Sequence, residues 1–401
     1  MDPTSQERDV RADAEVKTPF HHRKIRKGAI YFVICTVAGL TALYLMTQTP
    51  QTVEALVHMD ARFFFVAVAL AVVDACINAA RYHLFLRRIK PGVPLWVSFR
   101  AHWANIFMGA VTPSQTAGGP AQIYMFYRGG ISLSESTFVA VINFFFSVVF
   151  FLIATTFALF FLRANISQGL IRYLVRYGFA GFTCFLIVYS LALIRPDLLG
   201  RAIQVIADLI ARTRRSWGEK VGQFSRRITS GINSYHASCK RFFRDEKPVL
   251  LAGFGLTAIM YINKFALAYF LMRGLGVEGG FLHMIAIQTV IMFVLYLAPT
   301  PGASGIAELS IAALMSSLIP GFLLPVFTVL YRFFILYLPA LFGFVIVMAE
   351  LKAHARESGS RAAAEPLRES TDPFNPAACA VSEDVSRGVG KNSIESERMM
   401  S

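Results

Sequence analysis

The sequence predicts an all-α polytopic membrane protein of about six full crossings plus two re-entrant helical hairpins in an inverted repeat. Three observations carry that prediction. Of 401 residues 55% are apolar and only 16% are charged, against roughly 25% charged in an ordinary globular domain. The apolar residues gather into runs near the length of about 20 that crosses a hydrocarbon core. Two of the shorter runs end in similar Pro- and Gly-rich breaks, TPSQTAGGPAQ at 112–122 and APTPGASGIAE at 298–308.

The runs fall at 28–47, 61–86, 96–111, 132–162, 174–195, 248–272, 281–298, 304–318 and 321–349. Residues 96–111 and 119–128 are each too short to cross alone, and 281–298 with 304–318 reads as two arms of one hairpin. Backbone broken at bilayer depth must bury its freed N–H and C=O groups in protein or in a wet cavity, which a re-entrant hairpin does. For 281–318, ordinary crossings joined by a surface loop stay open.

Charge orients the runs. Loop 48–60 has no Lys or Arg, the next carries Arg87, Arg88 and Lys90, and segment 196–247 holds eleven Lys and Arg. With the positive side inside, both termini are cytoplasmic. The hairpin near 96–128 then enters from the cytoplasmic side and the hairpin near 281–318 from the opposite side. The organisation is a basic tail (1–27), a first membrane half (28–195), a basic cytoplasmic helical linker (196–247), a second membrane half (248–350) and a disordered tail (351–401). No cleavable signal is apparent ahead of the first run.

The net charge of +14 follows from this inside bias and does not call for nucleic acid. The linker's basic face suits either anionic headgroups, a docked partner enzyme or plain solvation. Cys35, Cys76, Cys184, Cys239 and Cys379 lack CxxC spacing, so neither a disulfide framework nor a metal site is expected. No cofactor is expected either.

Set in register, the breaks share Thr-Pro, then Ala117 with Ala303, Gly119 with Gly305, Ala121 with Ala307, and Gln122 opposite Glu308. Proline ends the first arm because it lacks an N–H and clashes with the preceding turn, and glycine permits the reversal. The second arm then opens a helix whose first N–H groups favour an anion such as a lipid phosphate. Pro113, Gly118, Gly119 and Gln122 in one half, and Pro301, Gly302, Gly305 and Glu308 in the other, are therefore candidate substrate-binding residues. A tight packing corner is the plainer alternative.

Arg332 lies eleven residues into its run, about 17 Å at 1.5 Å per residue. At that depth an arginine costs about 2.5–3.5 kcal/mol on the insertion scale and calls for a partner. Glu308 and Asp74 are both candidates. Asp74, Asn78 and Arg81 share a helix face by their spacing. These charges read either as structural pairs between helices or as a headgroup site in which Arg332 holds the anion and Glu308 and Asp74 balance it. Lys264 reads as snorkelling to the outer surface, and Ser132 to Glu135 has capping-box spacing. No nucleophile elbow, P-loop, metal cluster or paired carboxylates mark a catalytic site.

The segments NIFMGAVTPSQTAGGPAQIYMFYRGGISLSES, LAPTPGASGIAE and YRFFILYLPALFG resemble the flippase-like family named after the lysylphosphatidylglycerol synthase transmembrane region, the membrane part of the multiple peptide resistance factor. The likeness covers roughly residues 28–350. It is most specific in Pro299, Pro301, Gly302, Gly305 and Glu308, followed by Arg332, Pro339 and Gly343. The chain departs where many members carry an acid, having Pro120-Ala121-Gln122, and at Asn143, where a charged pair is common.

The resemblance implies a stand-alone inner-membrane protein that moves a lipid between leaflets, without the soluble domain that carries aminoacyl transfer. Its ligand would be an anionic phospholipid or a polyprenyl-phosphate lipid. A membrane-embedded enzyme using His102, Asp74 or Glu308, and a scaffold docking an enzyme through 196–247, are the competing functions.

Overall fold

The computed structural model describes residues 59–161 and 239–371, with single positions at 30, 34, 37, 38, 41, 183, 184, 187 and 235. The basic tail 1–27, nearly all of the runs at 28–47 and 174–195, most of the linker 196–247, and residues 372–401 lie outside the described residues.

Every described element is helical. In chain order these are α1 (Ala61–Ile89), α2 (Leu95–Ala110), α3 (Gly118–Arg128), α4 (Leu133–Phe161), α5 (Lys247–Gly274), α6 (Phe281–Leu297), α7 (Ile306–Met315), α8 (Leu324–Arg332) and α9 (Leu338–Thr371). Four stretches are long and apolar enough to span a bilayer, at Ala61–Ile89, Leu133–Ala158, Lys247–Gly274 and Gly321–Arg356. Their ends are set locally. The Asp60 carboxylate accepts the Arg62 N–H at 2.9 Å to cap α1, and Arg87 and Arg88 occupy its last turn, where the helix dipole favours cations. Ser132 Oγ accepts the Glu135 N–H at 3.3 Å, as the capping-box spacing predicts. Pro248 sits in the first turn of α5, where its missing N–H costs no intrahelical bond.

Helices α1 and α5 form an antiparallel pair. At one end the Asp60 N–H donates to Gly274 O at 3.1 Å. At the other, Arg88 meets Glu246 at 3.7 Å. The α2–α3 unit has both ends at the Arg88 end of this pair, because Lys90 Nζ donates to Gly130 O at 3.0 Å. The α6–α7 unit has its ends near Gly274, with Gly279 against Met272 and Leu318. The two helix–break–helix units therefore approach from opposite ends, and their turns, Pro113–Gln115 and Pro301–Ala303, pack on each other.

The turns repeat one backbone. Thr112 and Thr300 are extended (ψ 143° and 151°), and each is followed by proline and two left-handed residues. These are Ser114 (φ 50°) and Gln115 (φ 56°) in the first turn, and Gly302 (φ 57°) and Ala303 (φ 56°) in the second. This register needs no gap, so it sets Ala117 against Gly305 as helix caps and Pro120, rather than Gln122, opposite Glu308. The sequence alignment, which paired Gln122 with Glu308, inserted a gap to match glycines and alanines that the backbone does not match. Only Gly305 (φ 84°) must lie in the left-handed region just ahead of the second arm.

The run at 321–349 is not one continuous α-helix. A π turn at Phe333–Tyr337 separates α8 from α9. Helix α9 is also longer than predicted, since 351–371 is helical where the sequence reads as disordered tail. Its Ala, Glu, Lys and Arg content favours that state. From Val345 onward these residues form a second compact unit.

One buried cluster gathers Phe265, Leu271, Ile291, Ile311, Phe327 and Tyr331 with Ala67, Val148 and Phe151 of the first half. Outward faces carry Phe65, Leu251, Ile259 and Leu341, all more than half exposed, which suits a lipid solvent and not water.

Gly343 meets the backbone of α2: a Cβ there would stand 2.1 Å from Trp103 O and 2.6 Å from Phe107 Cβ. Gly343→Ala therefore destabilises by about 1–3 kcal/mol, as overpacking does. Gly255, with nothing within 4 Å of its added Cβ, is the control; Gly255→Ala stabilises by about 0.5–1 kcal/mol. Thermal unfolding of the two detergent-solubilised variants reads both signs.

Candidate functional site

The N-terminus of α7 carries its own anion. Glu308 is fully buried, and its Oε2 accepts the Gly305 N–H at 2.6 Å. Its Oε1 lies 3.2 Å from Arg332 Nε. The guanidinium, 4% exposed, is held on further sides. Its Nη2 donates to Gly302 O at 3.2 Å and to Ser304 Oγ at 3.1 Å, and its Nε–H donates to Tyr337 Oη at 3.3 Å. Of the two partners open to Arg332 from the sequence, Glu308 is the one it meets. The pair joins Pro301, Gly302 and Gly305 of the turn to the end of α8.

Asp74, Asn78 and Arg81 lie buried on one face of α1, as their spacing predicts. Asp74 does not balance Arg332. Its Oδ2 lies 2.7 Å from Lys264 Nζ on α5. Lys264 therefore does not snorkel; it turns inward because a buried carboxylate on the adjoining helix offers a stronger partner than the surface. Asn263 beside it donates to Leu70 O at 2.9 Å. Asn78 links the stripe, donating to Asp74 Oδ2 at 3.2 Å and accepting from Arg81 Nη2 at 3.5 Å.

Arg81 differs from Lys264 and Arg332. It is 5% exposed, and its hydrogen bonds are long and to neutral groups: Thr257 Oγ1 at 3.3 Å, with Asn78 Oδ1 and Tyr82 Oη at 3.5 Å. Its Nε has no acceptor. Among the described residues it meets no carboxylate.

The first hairpin is closed by neutral groups. Asn105 Nδ2 donates to Gln122 Oε1 at 2.9 Å. A Cβ on Gly118 would stand 2.9 Å from Asn105 O, so α2 and α3 touch backbone to backbone there. Helix α3 has no acid in its first turn and no side-chain cap. Gly119, with nothing within 4 Å of an added Cβ, faces open space, and Pro113 opens the turn.

Three cavities meet around these groups. A central one of about 220 Å³ lies between the hairpin turns and is lined by Arg81, His102, Gln115, Lys264, Gly302 and Arg332. A second, of about 440 Å³, shares Arg81 and Gln115 and reaches Gly118, Gly119 and Gln122 at the start of α3. The third, of about 480 Å³, shares His102 and Lys264 with the central cavity, but its walls are largely apolar, with Val68, Trp103, Leu267 and Phe342. Over the central cavity the Tyr261 and Tyr296 hydroxyls join at 2.9 Å. Among the described residues no cluster of three or more His, Cys, Asp or Glu side chains could hold a metal.

The sequence reading missed Lys264, Tyr337 and the tyrosine pair as parts of this site. A lysine well inside an apolar run was the available signal for the first. Tyr337 reaches Arg332 only through the π turn, which leaves no mark in the pattern of apolar residues.

The family described as lysylphosphatidylglycerol synthase TM region matches residues 29–343. A protein of Archaeoglobus fulgidus described as a UPF0104 membrane protein is 23% identical over 325 residues, covering 79% of this chain and 94% of that protein. The breaks at 112–122 and 298–308, Glu308, Arg332 and Gly343 all fall within the matched region, and the chain is a multi-pass membrane protein belonging to the lysylphosphatidylglycerol synthase TM region family.

Proposed function

We propose that this protein is a lipid translocase that passes an anionic phospholipid or polyprenyl-phosphate lipid between the leaflets of the inner membrane. In this reading the α2–α3 and α6–α7 units are re-entrant hairpins of an inverted repeat within six crossings, and both chain ends are cytoplasmic. The observation that carries it is the shape and polarity of the joined cavities. A chamber with three cations, at Arg81, Lys264 and Arg332, opens beside an apolar pocket of about 480 Å³. A charged headgroup with an acyl chain has that same division of polarity, and pockets of several hundred Å³ with few placed polar groups are the usual form of ligand sites. Opposed broken helices meeting at mid-bilayer are a common build for transporters.

The enzyme alternative is weakened by the same geometry. Two of its candidate groups, Asp74 and Glu308, lie against Lys264 and Arg332. Product formation in detergent, with no bilayer to cross, would restore it. For the scaffold alternative, deletion of 196–234 should leave lipid exchange intact; loss of activity on that deletion alone would favour a docked partner.

Purified protein reconstituted with labelled anionic lipid should exchange label between leaflets, and Ala75→Trp, which fills the apolar pocket, should slow exchange without lowering the unfolding temperature. Absence of exchange by the unaltered protein would reject the translocase. Arg332→Met and Glu308→Gln should each destabilise by about 3–5 kcal/mol, because truncating one partner strands the other buried charge. The double variant should cost less than the sum, a coupling that a double-mutant cycle on thermal unfolding reads.

A further inference from the structure

The two halves of the site are built alike but filled differently. In the second half a cation, Arg332, faces a helix N-terminus through the carboxylate of Glu308. In the first half the helix that matches α8 is α4, which carries Asn143 near the position of Arg332; the cation across the second cavity from the start of α3 is instead Arg81, on α1. The acid is missing. Position 120, which the shared turn geometry sets opposite Glu308, is proline, and α3 has no acid in its first turn.

Polar groups in this cavity are left over. Arg81 Nε and Gln122 Nε2 are both buried donors without an acceptor, and Asn143 Oδ1 is a buried acceptor without a donor, on residues 5%, 4% and 2% exposed that line the same space. A buried donor left unmade carries the full cost of its desolvation. The first N–H groups of a helix lack intrahelical partners and add a partial positive charge. Donors from α1 and α3 thus face one space whose described lining holds no anion.

We propose that the cavity between Arg81 and the amino end of α3 binds the phosphate of a lipid phosphodiester, which takes the position that Glu308 fills in the other half. This rests on the lipid-translocase reading and names the residue and charge class within it. The charge class follows from the buried groups around the joined cavities. The three cations Arg81, Lys264 and Arg332 face two carboxylates, Asp74 and Glu308, which leaves one net positive charge. A phosphodiester headgroup with one negative charge neutralises it; a zwitterionic headgroup leaves it uncompensated. The ester-linked chains would reach the apolar pocket by way of the central cavity, which shares Arg81 and Gln115 with the phosphate site and His102 and Lys264 with that pocket.

The decisive variant is Gln122→Glu, which installs an intramolecular carboxylate at the α3 side of the cavity. Full-length protein in phosphatidylcholine vesicles should exchange labelled phosphatidylglycerol faster than labelled phosphatidylcholine. Gln122→Glu and Arg81→Gln should each lower phosphatidylglycerol exchange about tenfold or more, the size expected for losing a hydrogen bond to a charged group. Gln122→Glu should at the same time raise the unfolding temperature and abolish the stabilisation that phosphatidylglycerol gives the unaltered protein in micelles. A misfolded variant would lower that temperature instead.

Normal phosphatidylglycerol exchange in both variants would overturn the site and leave the translocase standing. Absence of exchange by unaltered protein, with stabilisation by phosphatidylglycerol that Arg81→Gln removes, would keep the site and reject the translocase. Inorganic phosphate and glycerophosphoglycerol serve as chain-free probes. Stabilisation by either that equals phosphatidylglycerol's would overturn the assignment to a lipid, whereas little effect from both supports it.

Discussion

A buried arginine at bilayer depth is tolerated only if its charge is answered within the protein, and the contact between Arg332 and Glu308 answers it. The same carboxylate also caps α7 through the Gly305 N–H, so one anion serves a helix terminus and a guanidinium together. Arg332 in turn donates to the carbonyl of Gly302 and the hydroxyl of Ser304. The turn between α6 and α7 is thereby tied to α8, and the turn between α2 and α3 packs against it. Shape and charge at the centre of the molecule trace back to that contact.

Against this closed half stands an open one. Both turns place two consecutive residues in the left-handed region, and three of the four are not glycine. Each such residue costs of order 1–2 kcal/mol, which is retained only where surrounding structure over-determines it. The two turns thus agree in backbone while their following helices differ in chemistry, Glu308 against Pro120. The two breaks are thus alike in backbone and unlike in charge.

Much of this was legible in the sequence because it rests on local rules. Proline and glycine mark the breaks, spacing puts Asp74, Asn78 and Arg81 on one face, and depth in an apolar run requires a partner for Arg332. What escaped depends on distance or on backbone detail. Lys264 finds Asp74 across 190 positions of chain, and no local pattern encodes that pairing. The register of the turns lies two residues from the one that matching glycines give, because the turns agree in dihedral angles, which a sequence does not display. The helical continuation to Thr371 was hidden by a composition that favours both solvated chain and helix.

The π turn at Phe333–Tyr337 sets which face of Leu338–Phe344 meets α2. Such a turn admits one residue beyond an α-helix, so everything after it lags by about 100° of rotation. That lag presents Gly343 to the Trp103 carbonyl. In an unbroken helix of the same sequence, Phe342 would occupy that bearing, setting a benzyl group where not even a methyl fits. A single surplus residue in the winding thus decides whether the turn around Gly343 can lie flush on α2.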